Sequence, residues 1–169
     1  MGPLQWKKTG RGNVERMDVL ITVETDMFDY REVKPHFINP CCFGEDFATW
    51  LKKEISPLGD SGFVLSKVIQ EDYGWGFWAR HGKDPFWVAI SYVGDGPREA
   101  AAQWVISVNY DPGLNLIKRL FHKPDQQAWE QLRNHILQAV TSKTAIRIVP
   151  TPRYGPDGLG TPRARGSRH

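Results

Sequence analysis

The stretch Gln70-Glu71-Asp72-Tyr73-Gly74-Trp75-Gly76-Phe77-Trp78 restricts the fold more than any other part of this chain. Read as a strand, its period of 2 puts Tyr73, Trp75 and Phe77 on one face, and Asp72, Gly74, Gly76 and Trp78 on the other. Glycine weakens a strand interior. Two on one face therefore mark a bulge, or a close approach by another backbone, a helix or a ligand. The stretch predicts a β-rich surface against which something packs or binds, and it names no reaction.

The rest of the chain supplies the other elements. A β-branched run at 19–25 reads as a first strand. Asn39-Pro40 has the form of an N-cap followed by proline at the first helical position, and Phe43, Phe47, Trp50, Leu51 and Ile55 then recur at helical spacing. Pro57 and Gly59 end that helix near Ser56. Residues 64–69 lead into 71–80 as one bent strand kinked at Gly74 or Gly76, and strands at 86–93 and 101–110 complete an antiparallel meander with short glycine-rich loops. In the last of these Trp104, Ile106, Val108 and Tyr110 share a face. Residues 114–123 form a short helix or a packed loop. A second long helix starts near Pro124-Asp125 with a stripe of Ala128, Trp129, Leu132, Ile136, Leu137 and Val140, and a short strand lies within 144–149. The order is β-α-β-β-β-α-β. It predicts an α+β two-layer sandwich, an antiparallel-rich sheet with two helices on one face.

The 169 residues suit one domain at 18–149, with a flexible segment at 1–17 and a disordered basic tail at 150–169. Seven tryptophans, each worth on the order of 2–3 kcal/mol when buried, can anchor its core. The formal charge of +3 divides unevenly: 1–17 and 150–169 each carry four basic and one acidic side chain, leaving 18–149 at −3. An acidic domain argues against nucleic-acid binding by the core, so the only expected nucleic-acid contact is the tail, through Arg163, Arg165 and Arg168. No run approaches the roughly 20 apolar residues of a membrane span, and the N-terminus has no signal-peptide core. The only two cysteines, Cys41 and Cys42, are adjacent and form neither a disulfide framework nor a zinc set. A reducing, cytoplasmic location is expected, with no membrane partner.

Several groups carry chemistry in principle. Glu71 and Asp72 can act as acid and base, bind a partner, or simply form a turn or guard a sheet edge. Cys41 and Cys42, placed in the first turn of a helix, would gain thiolate character, though Glu45 and Asp46 oppose it, and two small core side chains are the plainer reading. His36, His81, His122 and His135 show no catalytic or metal spacing, so no metal and no cofactor is expected. Phosphate-binding loops and nucleophile elbows are absent from the sequence. Trp75, Trp78 and Trp87 are the candidates for an exposed aromatic platform, against a core role for each. The basic 118–123 segment either docks an acidic partner or covers the core.

Two patterns together, Asn39-Pro40-x-Cys42-x-Gly44-Glu45-Asp46 and Glu71-Asp72-Tyr73-Gly74-Trp75, resemble a family of small bacterial single-domain proteins of uncharacterised function. The resemblance covers about 36–149. It implies a bacterial cytoplasmic protein and carries over no catalytic residues. The resulting expectation is a non-catalytic protein-interaction module, of immunity or regulatory type, that binds another protein through Glu71, Asp72, Trp75 and Trp78. The alternative is a small enzyme with Cys41 or Cys42 as nucleophile.

Overall fold

The structure is a computed structural model that describes residues 18–40, 42–95, 101–113 and 123–151. The expected segment 1–17, Cys41, residues 114–122 of the expected short helix or loop at 114–123, and the arginine tail lie outside the described residues. Among the described residues the elements run β1 (Asp18–Glu24), α1 (Glu45–Glu54), a 3-10 turn (Ser56–Ser61), β2 (Phe63–Leu65), β3 (Ile69–Glu71), β4 (Gly74–His81), β5 (Asp84–Asp95), β6 (Ala102–Tyr110), α2 (Gln126–Thr141) and β7 (Arg147–Val149). They form an α+β fold: a seven-stranded antiparallel sheet with the helices packed on it.

β4, β5 and β6 form the expected meander, and β1 lies between β6 and β7. Cross-strand register builds one apolar face. Trp75 opposes Ile90, which opposes Ile106, which opposes Ile21; Phe77, Val88 and Val108 continue the pattern one row on. Ala48 and Leu51 of α1, and Leu132, Ile136 and Val140 of α2, join the same buried cluster. One sheet face and the apolar stripes of both helices therefore share one core.

α2 matches its stripe. Asp125 caps it by accepting from the backbone N–H groups of Gln127 and Ala128, at 2.9 and 3.2 Å. α1 begins later than Asn39-Pro40 implies. Gly44 caps it at φ 117°, and a side chain there would crowd Ile90 and Trp104, each 3.3 Å from the position of a Cβ. The left-handed turn at Gly44 stops the helix from extending back through Pro40. Cys42 consequently precedes the helix and does not occupy its first turn.

The stretch 63–81 also differs from a single bent strand. The chain reverses at Asp72-Tyr73, so that Glu71 opposes Gly74 and Ile69 opposes Gly76. β2 continues along the same edge of β4, with Leu65 opposite Ala79. Three residues, 66–68, face two on β4, which is a bulge. There the backbone N–H of Trp78 donates to Ser66 Oγ at 2.9 Å, and Ser66 N–H returns a bond to the Trp78 carbonyl at 2.9 Å.

Gly74 and Gly76 are the close approach that the sequence signals. A Cβ on Gly74 would lie 2.0 Å from the Ile90 carbonyl oxygen, and one on Gly76 would lie 2.5 Å from the Trp87 ring. Ile90 is on neighbouring β5, and the Trp87 indole lies across Gly76 on the sheet face away from the helices.

Candidate functional site

The expected site residues sit on one hairpin, β3–β4, in three environments. Glu71 and Asp72 are exposed at its tip, with Tyr73 beside them at 54% exposure. Trp75 is buried on the helix face. Trp78 is half-buried on the opposite face, its ring centroid 5.0 Å from that of Trp87. The fold thus brings Glu71, Asp72 and Tyr73 together and separates Trp75 from Trp78 by the thickness of the sheet.

The tip is exposed yet closely held. A strap of residues 34–40, with Cys42 beyond it, runs beside the tip and is laced to it by side chains. Gln70 Oε1 accepts from Ile38 N–H at 2.6 Å, and Gln70 Nε2 donates to the Asn39 carbonyl at 2.8 Å. Asn39 Nδ2 donates to Asp72 Oδ1 at 3.0 Å, so this side chain holds the hairpin instead of capping a helix. Below them, Trp75 Nε1 donates to the Cys42 carbonyl at 2.7 Å, and Cys42 Sγ–H donates to the Asp72 carbonyl at 3.1 Å. Phe37 packs against Trp75 with ring centroids 5.0 Å apart. On the far side Trp87 Nε1 donates to Tyr73 Oη at 2.8 Å. Burial of this phenol, reinforced by the Glu71 charge, holds its pKa above the ordinary tyrosine value despite that bond.

The strap has its own charge cluster. Lys34 Nζ and His36 Nε2 contact the two oxygens of Glu45 at 2.8 and 2.7 Å, at the start of α1. Burial disfavours the Glu45 carboxylate, but these two bonds outweigh it and its pKa falls below the usual range. The bond to Glu45 raises the Lys34 pKa in turn. A carboxylate in the first turn also meets the positive end of the helix dipole. The cluster positions the strap against α1.

The remaining candidates are dispersed. Cys42 is buried at 6% exposure. His81 lies 3.5 Å from Asp125 and packs on Phe63, and His135 Nδ1 pairs with the Gln131 carbonyl at 2.9 Å. Among the described residues no three His, Cys, Asp or Glu side chains cluster as a cation site. No helix among them is long and apolar enough to cross a membrane. Of the platform tryptophans, Trp75 and Trp87 are buried at 5% and 7%, leaving Trp78. Gln70 and Asn39 hold the tip, a role that neither of the sequence patterns containing them announces. Their signal is the two-residue turn at Asp72-Tyr73, which places Gln70 opposite Trp75. No protein-family model, curated protein or solved structure matches this chain.

Proposed function

We propose that this chain is a non-catalytic protein-interaction module, of regulatory or immunity type, that binds a basic surface of a partner protein through the tip of β3–β4. The observation that carries the reading is an exposed acidic-aromatic tip, Glu71-Asp72-Tyr73, fixed from beneath by Gln70, Asn39 and Trp75. Two carboxylates offer charge complementarity and a specific register. A tyrosine between them and the sheet offers contact area with few rotors to immobilise. Because the strap already orders the tip, little conformational entropy remains to be lost on binding. Trp75 serves this surface from inside, and Trp78 bounds it on the open sheet face.

The same reading assigns the protein to the reducing cytoplasm of a bacterial cell. That part rests on the adjacent cysteines and on the resemblance of the two sequence patterns to small bacterial proteins. Nothing favours a cysteine nucleophile: Cys42 is buried with its S–H directed at the Asp72 carbonyl, and Cys41 lies outside the described residues.

The test is capture from lysate by wild type and by the double variant Glu71→Lys, Asp72→Lys. Matching circular dichroism and denaturation would establish that both are folded. A stoichiometric partner should be retained by wild type, released at high salt, and lost in the variant. Equal retention by the two proteins refutes the reading.

A further inference from the structure

At the other end of β4, the open sheet face holds a groove of about 420 Å³. Its position follows from the ladder. Arg80 opposes Pro85 on β5, and the Asp111 N–H donates to the Pro85 carbonyl at 3.1 Å, so the three lie side by side across the sheet. Neighbouring strands are roughly 4.8 Å apart, which puts Arg80 and Asp111 on the order of 10 Å apart at Cα with Pro85 low between them. One row along, Trp78 stands over this floor. It contacts Trp87 on one side at 5.0 Å, with 54° between the rings. Lys83, in the turn that follows β4, closes the cationic end. Arg80 and Lys83 make no ion pair among the described residues. Asp111 Oδ1 accepts from Gly113 N–H at 2.8 Å, which fixes the carboxylate on the opposite rim.

This arrangement combines three requirements. Two cations call for an anionic group, an indole calls for a flat apolar body, and a carboxylate at the far side calls for a hydrogen-bond donor. An acidic peptide meets the first and is repelled at the third. A neutral sugar leaves both cations unmatched. A nucleic-acid strand meets all three locally, but it must approach a domain segment, 18–149, of net charge −3. A free nucleotide fits the volume and the charge pattern. The sequence alone does not bring these groups together, since Asp111 and Arg80 meet only through β5.

We propose that this groove binds a mononucleotide with an amino-bearing base: the base lies against Trp78, the phosphate reaches Arg80 and Lys83, and the exocyclic amine donates to Asp111. Base stacking on an aromatic side chain and a carboxylate accepting from an amino group are established recognition modes. The groove lies at the opposite end of β4 from Glu71 and Asp72; it shares Trp78 with the proposed partner surface, but nucleotide binding does not depend on that reading.

Calorimetric titration of the full chain with cytidine 5′-monophosphate, uridine 5′-monophosphate and inorganic phosphate tests it. Cytidine monophosphate should bind saturably, and about tenfold more tightly than the uridine compound, which lacks the amine. Arg80→Glu with Lys83→Glu, both exposed positions, should abolish the heat while leaving the unfolding curve in place. Asp111→Asn retains an acceptor for Gly113 and should narrow the cytidine preference. Absence of saturable binding at millimolar nucleotide overturns the proposal. So does phosphate binding as tight as the nucleotide's, which would mean an anion patch only. Undiminished binding by the double variant does the same. A cytidine tetranucleotide that binds more tightly than the monophosphate, with a steep salt dependence, would replace the free nucleotide by a strand.

Discussion

A Cβ at Gly76 would lie 2.5 Å from both the Trp87 ring and the Val88 carbonyl oxygen, and one of those two is backbone. Gly76→Ala should therefore destabilise the fold by about 3 kcal/mol, at the upper end for overpacked sites. Urea unfolding measures this directly; a loss under about 0.5 kcal/mol would mean that both the Trp87 ring and the β5 backbone at Val88 give way freely. Glu45 makes a second prediction, through pH. Its folded pKa lies below the unfolded value of roughly 4.3, so its contribution is present above that value and is lost as pH falls through the folded pKa. Lys34 acts in the opposite sense. Its contribution is present below its unfolded pKa of roughly 10.4 and is lost as pH rises through the folded value. Glu45→Gln should cost about 1 kcal/mol at pH 7, with the gap to wild type closing below about pH 4. Paired denaturation curves at the two pH values check it. At this scale the sequence was informative about Gly74 and Gly76, because positions without a side chain, two apart in an aromatic strand, leave room for a close neighbour on that face. It was silent about Gly44, where a side chain would crowd Ile90 and Trp104 from distant strands.

Among the elements, α2 and β6 were legible because each has a complete periodic signal. Asp125 starts the helix, and Ala102, Trp104, Ile106 and Val108 alternate inward with almost no exposure. The β3–β4 hairpin was not legible as a reversal. Asp72-Tyr73 lacks the usual turn glycine at its centre, and the glycine that admits the turn follows it as Gly74. Asn39-Pro40 reads as a helix start because it has the residues of a cap, whereas in the fold the Asn39 amide is bonded to Asp72. The strap and the hairpin act as one element through Trp75. Trp75→Phe keeps most of the packing and removes the Nε1–H donated to the Cys42 carbonyl. A loss of about 1 kcal/mol is expected, since Gln70 Nε2 at 3.5 Å remains as a weaker donor to that carbonyl. The amides of Asp72 and Tyr73 should also exchange with solvent faster than in wild type, since the tip loses its support. Unchanged exchange would show that Gln70 and Asn39 suffice.

Over the whole molecule, the sheet order joins distant parts of the sequence. β1 pairs with β6 along its full length, from Asp18 with Asn109 to Glu24 with Gln103, and with β7 only at Thr22, Val23 and Glu24. Arg147 and Glu24 add an ion pair across that second seam. Such non-local pairings carry no local signal, which is why strand neighbours could not be read from the sequence while strand existence could. They also predict folding on the slow side of the range for a domain of this size. The β1–β7 pairing has a further consequence for how the chain can be connected. Val149 lies opposite Thr22, so Asp18 at the start of β1 is roughly 13 Å away along one strand. A glycine-serine linker of about six residues can join 151 back to 18, and new ends can be opened between Gly59 and Asp60, both exposed in the 3-10 turn. This circular permutant should unfold cooperatively, at a denaturant midpoint close to that of an 18–151 parent chain. The chain path would then be a circuit, and the order in which its strands are synthesised a free variable.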